Sequence, residues 1–288
     1  MINTNFFVSD LHGSTGRYLK LFQKIEEEKP GAVFLGGDLL PSGLFAFSHH
    51  PEHAGDFLQD FLIPGFRELK SKLASAYPRV FLILGNDDSK FEESLFVEAE
   101  KFEIWQYIHN KKINYKSFTV YGYANVPPTP FQLKDWECFD VSQFVDPGCV
   151  SPEAGRRTVP VPANQIKYAT IQNDLEKLVG KAEMSNAIFL FHTPPYQTKL
   201  DRAALDGKMI DHVPLDVHVG SIAVKRFIEQ RQPLLTLHGH IHESARITGS
   251  WRDKIGTTAM LSAAHDGEEL ALVRFDLGRI EAAERELI

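Results

Sequence analysis

The chain has 288 residues, 43% of them hydrophobic and 24% charged, and a formal net charge of −7. That length supports a sizeable core. The acidic balance argues against non-specific attachment to nucleic acid or to an anionic membrane surface. Two cysteines, Cys138 and Cys149, cannot make a disulfide framework, so a reducing cytoplasm is the expected setting. The opening residues "MINTNFFVSDLHGS" have no basic region followed by a long apolar one, so no signal peptide is expected. No apolar run approaches the roughly 18 residues of a membrane span.

In chain order, "NFFVSD" reads as a strand, and "TGRYLKLFQKIEEEK" as a helix with Tyr18, Leu21, Phe22 and Ile25 on one face. "GAVFLGGDLL" is a second strand, "DFLQDFLIPGFRELKSKL" a helical stretch, and "RVFLILGND" a third strand. This βαβαβ order favours parallel strands with helices outside. The run of four apolar residues before Gly85 has no polar alternation, which fits a strand covered on both faces. Residues 121–163 are crowded with Pro and aromatic residues and lack periodicity. They read as an ordered, functional excursion within a single domain spanning 1–288, because Phe131, Trp136, Phe139 and Phe144 are expected to find packing surfaces. "ANQIKYATIQNDLEKLVGKAE" follows as a helix with Ile171, Leu175 and Leu178 at helical spacing. The last third restores the early rhythm. "NAIFLFH" is a strand, "VHVGSIAVKRFIEQ" a helix, and "PLLTLHGHIHES" a strand ending in histidines. "KIGTTAMLSAAHDG", "ELALVRFDL" and "RIEAAERELI" read as successive β segments.

The strand ends carry the chemistry. Asp10 and His12 follow the first strand, Asp38 the second and Asn86 the third, while His192, His240 and His242 follow two later ones. In open α/β sheets, ligands sit beyond the carboxyl ends of strands. Seven donors mixing imidazole, carboxylate and amide suit Mn, Fe, Zn or Ni better than an all-oxygen Ca or Mg cage. Seven are too many for one ion and suit two, provided one carboxylate is shared.

The blocks Asp-x-His, Gly-Asp, Gly-Asn-x-Asp, a lone His and Gly-His-x-His occur in that order across residues 10–242. With them the chain resembles the calcineurin-like metallophosphoesterase superfamily. "HTPPYQTKLD", "VHVGS" and "PPTPFQLKDWE" look like a prokaryotic subgroup of it. The resemblance implies a four-layer α/β/β/α sandwich of two mixed sheets flanked by helices. It further implies two divalent ions, manganese foremost, with Asp10, His12 and His242 on one. Asn86, His192 and His240 would hold the other, and Asp38 would bridge. A metal-bridging hydroxide would then hydrolyse a phosphodiester or phosphomonoester, most simply of a small molecule; no membrane partner is expected, and the acidic net charge disfavours nucleic acid.

One departure stands out. The superfamily usually places a histidine after the asparagine, where it contacts phosphoryl oxygens or protonates the leaving group. Here that position is Asp87, with Asp88 in the usual acidic place. Nearby dications favour the ionised form of Asp87, which leaves it no proton to donate. His265 in "LSAAHDGEE" is then a candidate replacement acid, and Arg17, Lys199 and Arg202 are candidate substrate contacts. The alternative from another class is a non-catalytic binding or scaffold protein on the same fold. His238 reads as a strand residue rather than a ligand. His49, His50 and His53 in "FSHHPEHAG" read as a solvated loop, because no carboxylate or strand supports them.

Overall fold

The computed structural model describes residues 4–44 and 56–288; His49, His50 and His53 lie outside the described residues. The first half begins with β1 (Thr4–Val8), α1 (Thr15–Glu28) and β2 (Ala32–Gly36). It continues with α2 (Ile63–Leu73), β3 (Arg79–Ile83), α3 (Glu93–Ala99), β4 (Gln106–Tyr107), β5 (Lys111–Tyr115) and β6 (Phe118–Tyr123). After the excursion come α4 (Ala163–Tyr168), α5 (Ile171–Val179), β7 (Ala187–Phe191), β8 (Met209–Ile210), β9 (Val213–Pro214) and α6 (Ile222–Arg231). The chain ends with β10 (Leu235–His238), α7 (Ser244–Thr248), β11 (Arg252–Ile255), β12 (Thr258–Ser262), β13 (Ala271–Asp276) and β14 (Glu284–Leu287).

Two six-stranded mixed sheets result. One has the order β14-β13-β1-β2-β3-β4 and the other β11-β12-β10-β7-β6-β5. In the first, β1 to β4 are parallel and β13 and β14 close the edge antiparallel. In the second, β12, β10, β7 and β6 are parallel, with antiparallel β11 and β5 at the edges. The alternation of β7 shows how the layers stack. Ile188 and Leu190 join the core shared with the first sheet, while Phe189 and Phe191 face the opposite way. They meet Ile171 and Leu175 of α5 and Val224 and Phe227 of α6. Each fully buried side chain of this size contributes about 1.5–3 kcal/mol. The first sheet is covered in turn by Tyr18, Leu21 and Ile25 of α1 and by Phe66 of α2, which meets Trp105 edge-on at 5.5 Å between ring centroids. The expected α/β/β/α sandwich is thus present.

Local departures have local causes. A π-helical turn over Phe57–Leu62 precedes α2, in which a proline sits at the start. The helix expected over residues 163–183 breaks at Ala169, which is extended, and Thr170 caps a new helix by accepting a hydrogen bond from the Asn173 amide. "KIGTTAMLS" forms a two-stranded hairpin rather than one β segment. In "RIEAAERELI" a tight turn over Ile280–Ala282 precedes the strand.

The excursion is ordered around a buried Lys134–Glu137 ion pair. Lys134 Nζ also donates to the Thr129 carbonyl, and Glu137 accepts from the Thr129 amide and hydroxyl. Trp136 and Phe139 are buried in it as expected, but Phe131 and Phe144 are exposed. The expectation that all four aromatics pack therefore needs correcting: Phe131, within the braced segment, and Phe144, beyond it, both turn their rings to solvent. Among the described residues no helix is long and apolar enough to cross a membrane, and Cys138 and Cys149 are free thiols.

Candidate metal centre

Five parallel strands deliver the candidate donors: β1, β2 and β3 are neighbours in one sheet, β7 and β10 in the other. The two carboxyl edges meet at one place. His192 Nδ1 lies 2.8 Å from the Gly36 carbonyl, and the His240 amide donates to Asp10 Oδ1 at 3.0 Å. Four of the seven candidates, Asp10, His12, Asp38 and His240, have left-handed backbone angles, with φ of 57°, 46°, 52° and 74°. Strain of this kind costs on the order of 1–3 kcal/mol per residue and persists where surrounding structure imposes it. Here the imposition is visible: the Asp10 and His12 amides donate to the carbonyls of Gly37 and Asp38, pinning the first turn to the second. Two glycines allow the approach. A Cβ on Gly85 would stand 2.3 Å from Asp38 Oδ1, and one on Gly239 would stand 2.0 Å from Ser9 Oγ.

Donor atoms of Asp10, His12, Asp38 and His242 lie within 4.8 Å of one another. His12 Nε2 and His242 Nε2 are 3.2 Å apart, and His242 Nε2 is 3.3 Å from Asp10 Oδ1. On the other side, His192 Nε2 is 3.1 Å from Asn86 Oδ1 and 3.3 Å from Asp38 Oδ2. The His240 ring is tilted against His192 at 5.2 Å between centroids. Asp38 Oδ2 also faces His12 Nε2 at 3.9 Å, so one carboxylate oxygen looks towards both halves.

This donor set fits cations. His192 Nδ1 bears the proton it donates to the Gly36 carbonyl, so in the neutral ring the Nε2 lone pair confronts two oxygens, Asn86 Oδ1 and Asp38 Oδ2. A metal cation at Nε2 reconciles that geometry, as does a proton on the same nitrogen. The electrostatics agree. Burial pushes the Asp10 carboxyl up, but the hydrogen bond from His242 and the neighbouring imidazoles hold it below the usual carboxylate range. Burial acts likewise on Asp38, and His192 and His12 bring it down to about 2. Burial disfavours the charged rings of His12 and His192, yet Asp87, Asp38 and Asp10 raise the first to about 9, and Asp38 and Asp10 the second to about 9. His240, with burial and the His192 charge against it, falls to about 3.

The paired acids have separate tasks. Asp88 is buried and accepts from the amides of Leu39, Leu40 and Gly85, which ties the turn after β2 to the turn after β3. Burial and the Asp38 charge push it up to about 7. Asp87 Oδ1 accepts from the Ser42 hydroxyl at 2.6 Å, and Oδ2 lies 3.3 Å from His12 Nδ1. Its carboxylate holds a candidate ligand in place, a task different from that of the histidine usual at this position.

The other candidates sit as follows. The Arg17 guanidinium donates to the carbonyls of Asp10 and Gly267, so it braces the first turn instead of standing free for substrate. His265 lines a small crevice with Arg17, Ser9 and Asp10, but its ring is hydrogen-bonded to Glu269 at 3.0 Å and to none of the seven donors. Arg202 is engaged with the Ala203 carbonyl and Asp206. The Lys199 amide donates to Asp253, and its ammonium has no partner among the described residues. His238 is buried and satisfied by the Thr193 carbonyl and the Thr236 hydroxyl, as a strand residue should be. Asp201 and His218 lie 17 residues apart, in the stretches "HTPPYQTKLD" and "VHVGS"; sequence reasoning missed their pairing because it read "VHVGS" as the start of a helix, whereas α6 begins only at Ile222 with Ser221 as its cap.

The family model for calcineurin-like phosphoesterases matches residues 6–244. The chain belongs to that family. Two solved structures superpose over the whole chain. One is 17% identical with a TM-score of 0.62, covering 100% of this chain and 99% of the other. The second, TT1561 of Thermus thermophilus, is 18% identical with a TM-score of 0.55, again covering 100% and 99%. At these identities the likeness shows the fold. No curated protein matches the chain.

Proposed function

We infer that the protein is a phosphoesterase whose site holds two divalent cations, manganese foremost, and hydrolyses phosphodiesters or phosphomonoesters of small molecules. The observation that carries this reading is Asp38, whose Oδ2 faces His192 Nε2 at 3.3 Å and His12 Nε2 at 3.9 Å. A carboxylate so placed joins one donor set of Asp10, His12 and His242 to another of Asn86, His192 and His240. A bound metal pair would lower the pKa of water and offset the charge of a phosphoryl group.

The chain's own residues set up the rest. The Gly36 carbonyl fixes the tautomer of His192, Asp87 orients His12, and Asp88 fastens the turns that carry Asp38 and Asn86. Such outer partners fix ring orientation and raise ligand basicity. The acidic net charge favours small substrates over large polyanions. Free thiols at Cys138 and Cys149 agree with a cytoplasmic setting.

The scaffold alternative draws support from Asp87, because the usual histidine is missing. An aryl phosphodiester assay with added Mn²⁺ separates the two, since a good leaving group needs no acid. Hydrolysis supports the enzyme; inertness of the metal-loaded protein supports the scaffold.

A further inference from the structure

With Asp87 turned to His12, the leaving group lacks its usual proton donor, and the remaining histidines can be sorted by their surroundings. Outside the seven donors the described residues contain His109, His212, His218, His238 and His265. His109 is half-buried and accepts from the Ala124 amide, with its Nε2 beside the Asn110 side-chain amide, and His238 is buried and satisfied at both nitrogens. His265 gives its Nε2 to Glu269, and His212 is exposed in the turn between β8 and β9. His218 differs from all four. Its Nδ1 lies 2.8 Å from Asp201 Oδ1, it is partly exposed, and its Nε2 has no partner among the described residues.

Asp201 is fully buried and heavily anchored. It accepts from the amides of Gln197 at 2.8 Å, Thr198 at 2.8 Å and Gly220 at 3.2 Å, besides the His218 ring. A carboxylate with that many donors is fixed in position. It holds the imidazole with Nδ1 inward and Nε2 outward, the arrangement that carboxylate–histidine pairs use in acid–base chemistry.

The pair is stitched to both metal-bearing turns of the second sheet. Ser221, just after His218 in the chain, donates its amide to the Pro194 carbonyl, and the Tyr196 amide donates back to the Ser221 carbonyl, so this segment runs alongside the chain leaving His192. Gly220 makes the approach possible, for a Cβ there would stand 2.7 Å from the Pro194 carbonyl oxygen. On its other side His218 bridges Arg202, whose amide donates to Ser244 Oγ, just past His242. The backbone around His218 is therefore linked to the segments that follow both His192 and His242.

We propose that His218, held by Asp201, is the catalytic acid that protonates the leaving alcohol. The inference rests on the phosphoesterase reading. As a water oxygen, losing its proton to solvent, bonds to phosphorus and the bond from phosphorus to the leaving oxygen breaks, that bond's electron pair stays on the leaving oxygen, which takes the proton from Nε2 of the imidazolium. The ring is left neutral with Nδ1–H on Asp201, and a solvent proton restores it.

The test is a leaving-group series. Wild type and His218→Gln, each loaded with Mn²⁺, are assayed on methyl phosphodiesters whose second alcohol runs from p-nitrophenol to simple alkyl alcohols. Loss of a positioned acid costs about 10²–10⁴-fold. That loss is expected at the alkyl end, with little change for p-nitrophenol, and with metal content and unfolding midpoint equal to wild type. Asp201→Asn should show the same slope with a smaller loss. An equal loss for every alcohol, or unchanged alkyl turnover, overturns the assignment and leaves the phosphoesterase reading intact. A wild-type protein that holds metal and hydrolyses no member of the series overturns both.

Discussion

Asp87 Oδ2 lies 3.3 Å from His12 Nδ1, while the opposite ring nitrogen of His12 faces His242 and Asp38. The carboxylate, the imidazole and the candidate cation site are thus in series. Removing such an outer partner typically costs about 10–100-fold in metal affinity. Asp87→Asn should weaken Mn²⁺ binding by about that factor in a competition titration, and Asp87→His should not restore it. Unchanged affinity in Asp87→Asn would remove Asp87 from the site.

Arg17 spans the carbonyls of Asp10 and Gly267. Arg17→Met should lower the unfolding midpoint and metal occupancy while KM at saturating metal stays within about twofold, because a brace acts on the fold and not on substrate. A large rise in KM at unchanged stability would make Arg17 a substrate contact after all.

The buried Lys134–Glu137 pair yields a stability prediction. Glu137→Leu strands an ammonium in the interior and should cost about 3–5 kcal/mol in urea unfolding. Lys134→Met combined with Glu137→Leu should recover most of it, since an apolar pair of similar volume replaces two charges that both had to be desolvated. A double variant as unstable as the sum of the singles would contradict this.

How much of this is legible in the sequence follows from the kind of signal. Val8, Leu35, Leu82 and Phe191 belong to apolar runs whose length and polar ends mark buried strands, and the donors sit immediately past them. Local pattern suffices for that. Placing β7 between β6 and β10 requires Ile188 to pair with Val120 and with Leu235, both remote in the chain, so the two sheets follow from the resemblance rather than from periodicity. Charge alone misreads Asp87 and Arg17. Their partners, Ser42, His12 and the Gly267 carbonyl, are close only in space. Asp201 and His218 escape notice for the same reason.

His109 supplies a pH prediction. Burial, with Lys90 and Lys111 nearby, lowers its pKa to about 3, against 6.5 for the exposed ring. The folded state therefore binds fewer protons than the unfolded one between those values. The contribution of neutral His109 is complete above about pH 6.5 and is lost as pH falls towards 3, by at most about 1.4 kcal/mol per unit. His109→Gln should flatten that part of the stability profile. An identical slope in the variant would show that His109 is not its source.

The central claim is that one aspartate is shared by two cation sites, and metal counting by mass spectrometry on dialysed, Mn²⁺-reconstituted protein tests it most directly. The wild-type chain should hold two ions. Asp38→Ala should hold fewer than one and lose aryl phosphodiester turnover by at least about 10³-fold, as expected when a component of a metal pair is removed. A wild-type chain with a single ion, or an Asp38→Ala chain that keeps two, would contradict the account.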